Sequence, residues 1–399
     1  MRKTTRFASL IALVTATLSA QTMAQDLAIA NVRLHPGPGV PAVERATILI
    51  RDGTIVEVGT MLATGELTVL DGGGRIATAG LWNSHVHFMD PELGGANAPA
   101  IVRDMLLRYG FTSVMDTGSV PADTQRLIAA IERGELDGPR IVTAGGGFVF
   151  TDGTPAYLPD TRLPELATPA AATSAVNELL DGGADGVKIF SGSFKTTTDT
   201  VLMPPAIIRA VAAAAHARGS FVVAHPQDRN GFVNAVENGV DVLAHTAPPA
   251  GPLGPELIET MLERNVALIP TLKLWSWELR RFNAPESAWR AYQDAGVEQL
   301  AAYFGAGGEI LFGTDVGYMR DYDTTEELDL MRRAGMDFAA VLAALTTHPA
   351  RRFAGESGIV QAGAPGDVVV LEDDPALDVT AFARVAFTIR GGRVVYAAP

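Results

Sequence analysis

Six side chains in this sequence could share one piece of metal-dependent chemistry. His85 and His87 stand two apart in an apolar run. Lys188 lies inside Gly186-Val187-Lys188-Ile189-Phe190. His225 and His245 each close a short apolar run, and Asp315 follows Phe312-Gly313-Thr314. Residues two apart on a strand point the same way, so both imidazoles of the first pair can reach one cation. Imidazole suits zinc, and also cobalt, nickel or iron. By itself a His-x-His pair serves equally well as packing. The setting adds weight, because four of the seven histidines end strand-like runs. The other three read as structural: His35 in a loop, His216 late in a helix where imidazole suits the C-terminal dipole, and His348 before Pro349.

Lys188 is the odd member. A buried ammonium is costly unless it is paired or neutralised. It could snorkel or pair with Asp185. Alternatively, its amine could take up carbon dioxide as a carbamate, an anion whose two oxygens can bridge two cations. Asp315 could bind a metal and accept a proton from water; as a plain loop residue it could equally cap a helix.

These residues must be positioned by something regular. Eight short β-rich runs can be read, at 80–88, 111–116, 140–144, 186–190, 221–224, 240–244, 266–270 and 310–313. Helical stretches separate them, such as 100–108, 123–133, 205–218 and 256–264. Strands alternating with helices imply a parallel sheet with right-handed crossovers. Eight units over residues 77–354 imply an α/β chain with a closed (β/α)8 TIM-like barrel, with an open doubly wound sheet as the alternative. Active sites of such barrels lie at the C-terminal ends of the strands, where the six residues fall. The long gap after the third run, with Gly145-Gly146-Gly147, Pro155, Pro159 and Pro164, suits a loop that caps the mouth. Both ends of the chain, 25–76 and 355–399, are rich in strand signals: 27–34, a hairpin over 46–58 turning at Asp52-Gly53, 368–371, 385–389, and a Gly391-Gly392 turn. Together they are expected to form a small β-sandwich domain.

Residues 1–24 read as an export signal rather than as part of the fold. Arg2, Lys3 and Arg6 precede an apolar run, and Thr22-Met23-Ala24 offers small residues for cleavage near Ala24. An uncleaved anchor is the rival reading. The expected location is periplasmic or secreted, with no membrane contact once the signal is removed. The chain has no cysteine, which excludes disulfides, thiolate metal sites and thiol nucleophiles. A net charge of −14 without a basic stripe argues against nucleic acid as a partner.

The string Gly80-Leu81-Trp82-Asn83-Ser84-His85-Val86-His87 resembles the strand-one motif of the amidohydrolase superfamily. Val187-Lys188-Ile189-Phe190, Val223-Ala224-His225, Leu243-Ala244-His245 and Gly313-Thr314-Asp315 resemble its strand four, five, six and eight motifs, in order. Arg51-Asp52-Gly53-Thr54-Ile55 and 366–371 resemble its flanking sheet. The likeness covers nearly the whole chain after residue 24 and is nearest to the imidazolonepropionase-like and prolidase-like branch. It implies two divalent metals, with zinc expected. His85, His87 and Asp315 would hold one, His225 and His245 the other, with carboxylated Lys188 bridging them. It further implies a hydroxide between the metals as nucleophile, with Asp315 as its proton shuttle. Imidazolonepropionases lack the bridging lysine, so Lys188 disfavours that reaction. Pro226-Gln227-Asp228 stands where deaminases carry a glutamate, which disfavours deamination.

The expected substrate is a small-molecule amide: a dipeptide, an N-acyl amino acid or a related amide. Phe190, Trp275, Tyr318 and Arg320 follow barrel strands and are candidate pocket residues, Arg320 as a clamp for a substrate carboxylate. A lactone, carbamate or organophosphate ester hydrolase could use the same site, and an inactive metal- or ligand-binding barrel is the third reading. Barrels of this kind often assemble as homo-oligomers, but no interface can be read here.

Overall fold

The computed structural model describes residues 26–158, 161–196 and 199–399. The expected export signal at 1–24, its expected cleavage site and Pro159 lie outside them. Seven of the eight expected runs form strands: Leu81–Val86, Phe111–Asp116, Arg140–Thr143, Gly186–Phe190, Phe221–His225, Val242–Ala244 and Ala267–Ile269. They are parallel in two arcs, the first three and the last four. Backbone hydrogen bonds join the arcs. Phe148 N donates to Lys188 O at 2.9 Å, and Lys188 N to Ala144 O at 3.2 Å. On the other side, the eighth run meets the seventh through Leu311 N to Leu268 O at 2.9 Å. It meets the first through Ser84 N to Phe312 O at 2.7 Å. The ring is therefore that of a TIM-like barrel. The eighth run itself is irregular, pairing only through single bridges at Ile310 and Val316. A side chain at Gly313 would collide with Ile269, so the chain passes too close there for an ordinary ladder.

Side-chain alternation sorts this ring into inside and outside. Trp82, Met115, Val142, Val223, Ala267 and Leu311, from six strands, pack together within the barrel. Leu81, Val114, Ile141, Val187, Val222 and Leu268 face the helices and join the larger core. Lys188 is in register with Val223, so it too points inward, and His225 follows on the same face. The helices start where the chemistry of a first turn allows. Pro121–Glu132, Pro169–Asp181, Pro205–His216 and Pro255–Glu263 all begin on a proline, whose missing N–H is not needed there.

The two ends of the chain meet in one eight-stranded sheet rather than in two separate sheets. Ile76–Ala79 lies between Leu27–Leu34 and Val368–Leu371, and continuous pairing links all eight strands. One face of this sheet encloses its own apolar core, with Ile29, Ile48, Ile50, Val368, Val370 and Ile389 fully buried. The Asp52-Gly53 turn forms as expected, both residues at positive φ.

Three features went unread in the sequence. A hairpin, Gly192–Thr196 with Asp199–Leu202, follows the fourth strand, and helices Leu272–Arg281 and Glu286–Gly305 follow the seventh. Helix Leu272–Arg281 is fastened at its start by Glu327, which is fully buried and accepts from Leu272 N at 2.9 Å and Lys273 N at 2.8 Å. Burial pushes this carboxyl up to about 7, against the two backbone donors and Lys273. A raised carboxyl contributes stability below its ordinary value of 4.5 and loses it as pH rises to about 7. The melting temperature of wild type is therefore expected to fall relative to that of Glu327→Gln as pH is raised from 4.5 to 7. A difference that stays flat over that range would show that the carboxyl does not titrate there.

Candidate metal centre

The six side chains singled out by the sequence converge at the C-terminal mouth of the barrel. His87 Nε2 lies 3.0 Å from Asp315 Oδ1, and His85 Nε2 lies 3.4 Å from the same oxygen. The ring of His85 is 4.6 Å from that of His245, which is 4.8 Å from that of His225. His225 packs at 5.0 Å on Phe190, and Lys188 Nζ lies 5.7 Å from the same ring. All six line one cavity of about 2050 Å³.

The strand ends explain the convergence. His85 and His87 share a face of the first strand. Asn83, fully buried, holds that strand against the eighth run: its Nδ2 donates to Thr314 Oγ1 at 2.7 Å, and its Oδ1 accepts from His85 N and Thr314 N, each at 3.2 Å. Asp315 N donates to His85 O at 2.9 Å. His245, Asp315 and Gln227 all have positive φ, as does Thr271 at the end of the seventh strand. Such conformations are costly for residues other than glycine and collect at functional sites. Thr271 uses its position to bring Oγ1 within 2.6 Å of His245 Nδ1. Gln227 Oε1 lies 3.2 Å from His225 Nε2.

The electrostatics favour neutral donors. Burial is the largest cause holding His85 and His245 well below the ordinary imidazole range, and it lowers His225 to about 3. Burial also lowers Lys188 to about 8, opposed by Asp315 and Asp116. Lys188 forms no ion pair among the described residues. The alternative partner, Asp185, instead accepts from Thr143 N at 2.9 Å. Several buried atoms here have no hydrogen-bond partner: both ring nitrogens of His85, Nδ1 of His87 and Oδ1 of Asp315. Buried polar atoms are rarely left so. His85, His87 and Asp315 could together hold a metal ion. The donor set, two imidazoles and a carboxylate around unsatisfied atoms, fits a divalent cation.

The other histidines lie elsewhere. His216 meets Asp241 at 2.9 Å, His348 Nδ1 meets Ile310 O at 2.9 Å, and His35 packs edge-on against Phe338. Phe190, Trp275 and Tyr318 line the cavity. Arg320 does not: it is exposed and absent from the cavity wall. The turn closed by Met319 N to Asp315 O buries Met319 and sends the next residue outward. The expected carboxylate clamp is therefore corrected. Sequence reading also missed Asn83, Gln227, Thr271, Tyr157 and Glu278. The Asn83-x-His85 spacing was a signal that could have been used; the others sit on loops or on an unread helix. The described parts of the stretch after the third strand, at 145–148, 156–158 and 161–164, do border the mouth, Tyr157 among them.

The amidohydrolase family matches residues 76–395. Among curated proteins, a dihydroorotase from Geobacter sp. (strain M21) is 39% identical over 82 residues, 20% of this chain and 19% of that protein. The chain thus matches about a fifth of that relative's length. Among solved structures, a Xaa-Pro dipeptidase with methionine bound in its active site superposes with a TM-score of 0.81 at 22% identity, covering 94% of this chain and 100% of that one. A putative prolidase from Bifidobacterium longum gives 0.80 at 26% identity, covering 94% and 95%. Molinate hydrolase gives 0.76 at 21%, covering 93% and 94%. With the family model matched over most of the chain, this chain belongs to the amidohydrolase family.

Proposed function

We propose that this is an exported, binuclear metal-dependent amidohydrolase that cleaves the amide bond of a dipeptide, an N-acyl amino acid or a related small amide. The observation that carries the reading is the set of buried, unpaired nitrogen and oxygen atoms of His85, His87 and Asp315 at the barrel mouth. In this reading His85, His87 and Asp315 hold one divalent metal, and His225 and His245 the other. Lys188, as a carbamate, would add an anionic oxygen donor beside them. Zinc is the expected ion, given the imidazole donors. When bound, the cations supply Lewis acidity to the attacking water and to the scissile carbonyl.

The chain's own residues do the rest. The Thr271 hydroxyl holds the His245 ring by its Nδ1, which leaves Nε2 for the metal. A carboxylate oxygen of Asp315 takes the proton from the attacking water and passes it to the leaving amine nitrogen. Carbon dioxide uptake by Lys188 is supported by its burial, by the lack of an ion-pair partner among the described residues and by an amine held toward the neutral form. The cavity exceeds the several hundred Å³ of most small-molecule sites, which favours an amide with a bulky apolar part over the smallest dipeptides. Export rests on residues 1–24, whose basic start, apolar run and small-residue end suit a cleaved signal.

Zinc-loaded and metal-stripped protein should be offered dipeptides, N-acyl amino acids, lactones and phosphotriesters, with products read by mass spectrometry. Metal-dependent release of an amine is expected; turnover confined to lactones or phosphotriesters would overturn the substrate class. Asp315→Asn should keep most bound metal yet lower kcat by about 10²–10⁴-fold. Near-normal turnover would remove Asp315 as the proton carrier. Lys188→Ala should lose most activity and regain part of it with added short carboxylic acids. With ¹³C-labelled bicarbonate, wild type should show a carbamate carbon resonance that Lys188→Ala lacks; its absence from wild type would refute the carbamate.

A further inference from the structure

One wall of the cavity carries a charge opposite to the one a carboxylate-bearing substrate would need. Glu278, on helix Leu272–Arg281, lines the cavity with its side chain 18% exposed. Its two oxygens accept from the single hydroxyl of Tyr318, each at 3.0 Å. Its nearest cation is Arg281, whose Nη1 lies 3.8 Å away, too far for a hydrogen bond. A carboxylate offers about four acceptor positions, so Glu278 keeps unused capacity. The rings around it are well placed for a cation. Tyr157 meets Tyr318 edge to face at 5.7 Å, and Trp277 meets it at 5.8 Å. The chain already lays one cation on this wall: the Arg281 guanidinium lies 5.4 Å from the Trp277 ring and 5.7 Å from that of Tyr318.

Among the described residues Arg281, already engaged with Glu278, Trp277 and Tyr318, does not line the cavity. Arg126 and Arg162 border the cavity, but they are paired with Asp123 and Glu165. Arg320 points away.

We propose that Glu278, with the faces of Tyr157 and Tyr318, forms a subsite for an ammonium group, so that the preferred amides carry a positive charge. The substrate class rests on the amidase reading above; the charge preference of the wall does not. Glu278 supplies the counter-ion, the aromatic faces add cation–π attraction, and Tyr318 orients the carboxylate through its hydroxyl. Glu278 acts as a specificity residue and takes no part in bond breaking.

The test is a calorimetric titration of the metal-loaded protein with two probes. Benzyltrimethylammonium has no lone pair to offer a metal, and benzyl alcohol is its neutral counterpart. Wild type is expected to bind the cation about tenfold more tightly than the alcohol. Glu278→Gln should lose that difference, while Tyr318→Phe, which leaves the carboxylate in place, should keep most of it. Equal binding of the two probes by wild type overturns the subsite, whether or not either variant folds. A cation preference that persists in folded Glu278→Gln overturns the role of Glu278. In parallel, KM for a dipeptide with a free α-ammonium should rise in Glu278→Gln while kcat is retained and the N-acetylated dipeptide is unaffected. A cation preference without hydrolysis of any amide would sink the amidase reading alone; amide hydrolysis without a cation preference would sink the subsite alone.

Discussion

The seam between the first strand and the eighth run is the constraint on which the site depends. A barrel exists only if its last strand finds its first, and here the two meet with little regular pairing. Ser84, His87 and Asp315 carry the backbone hydrogen bonds across it, and the Asn83 side chain supplies two more, to Thr314. Those residues are, or adjoin, the ones that gather the donors. Closure of the fold and assembly of the His85–His87–Asp315 group are therefore one event. The close approach is also steric: a methyl on Gly317 would overlap the carbonyl oxygen of His87, and Gly317 sits at φ 98°. Glycine is the residue that tolerates both conditions.

The second half of the barrel ends its strands in a shared way. Gln227, His245, Thr271 and Asp315 all turn into the left-handed region just past a strand, at φ between 43° and 79°. Gln227, His245 and Asp315 thereby line the mouth, and Thr271 supports His245 from behind. The cost of such conformations is met by the packing beneath, where Val223, Ala244, Ile269 and Leu311 are fully buried. The stability of the interior thus holds the donors in place against local strain.

Much of this was legible in the sequence because the signals were periodic. His85, His87, Lys188 and His225 obey the alternation of strands, so reading the strands located them. The eighth run was legible as apolar but not as irregular, since what breaks its ladder is the approach of Ile269 to Gly313, a contact some 44 residues apart in sequence. Arg320 was misplaced for a related reason. Beyond Asp315 the chain leaves the strand, and no period tells which way a side chain faces. Tyr157 and Glu278 were missed because one rides an excursion without regular structure and the other a helix whose start is set by Glu327, more than fifty residues later. The strands of the two ends were legible, but their continuous pairing through Ile76–Ala79 was not, because composition does not encode which strands pair.

That pairing has a consequence for how the molecule comes into being. Ile76–Ala79 is held on one side by Leu27–Leu34 and on the other by Val368–Leu371. The sheet therefore cannot be completed while the ribosome is still making the barrel. Nearly three hundred residues separate partners that must touch, so loop-closure entropy and slow, late docking dominate its formation. Until the last strands arrive, the apolar faces of Ile29, Ile48 and Ile50 lack their cover.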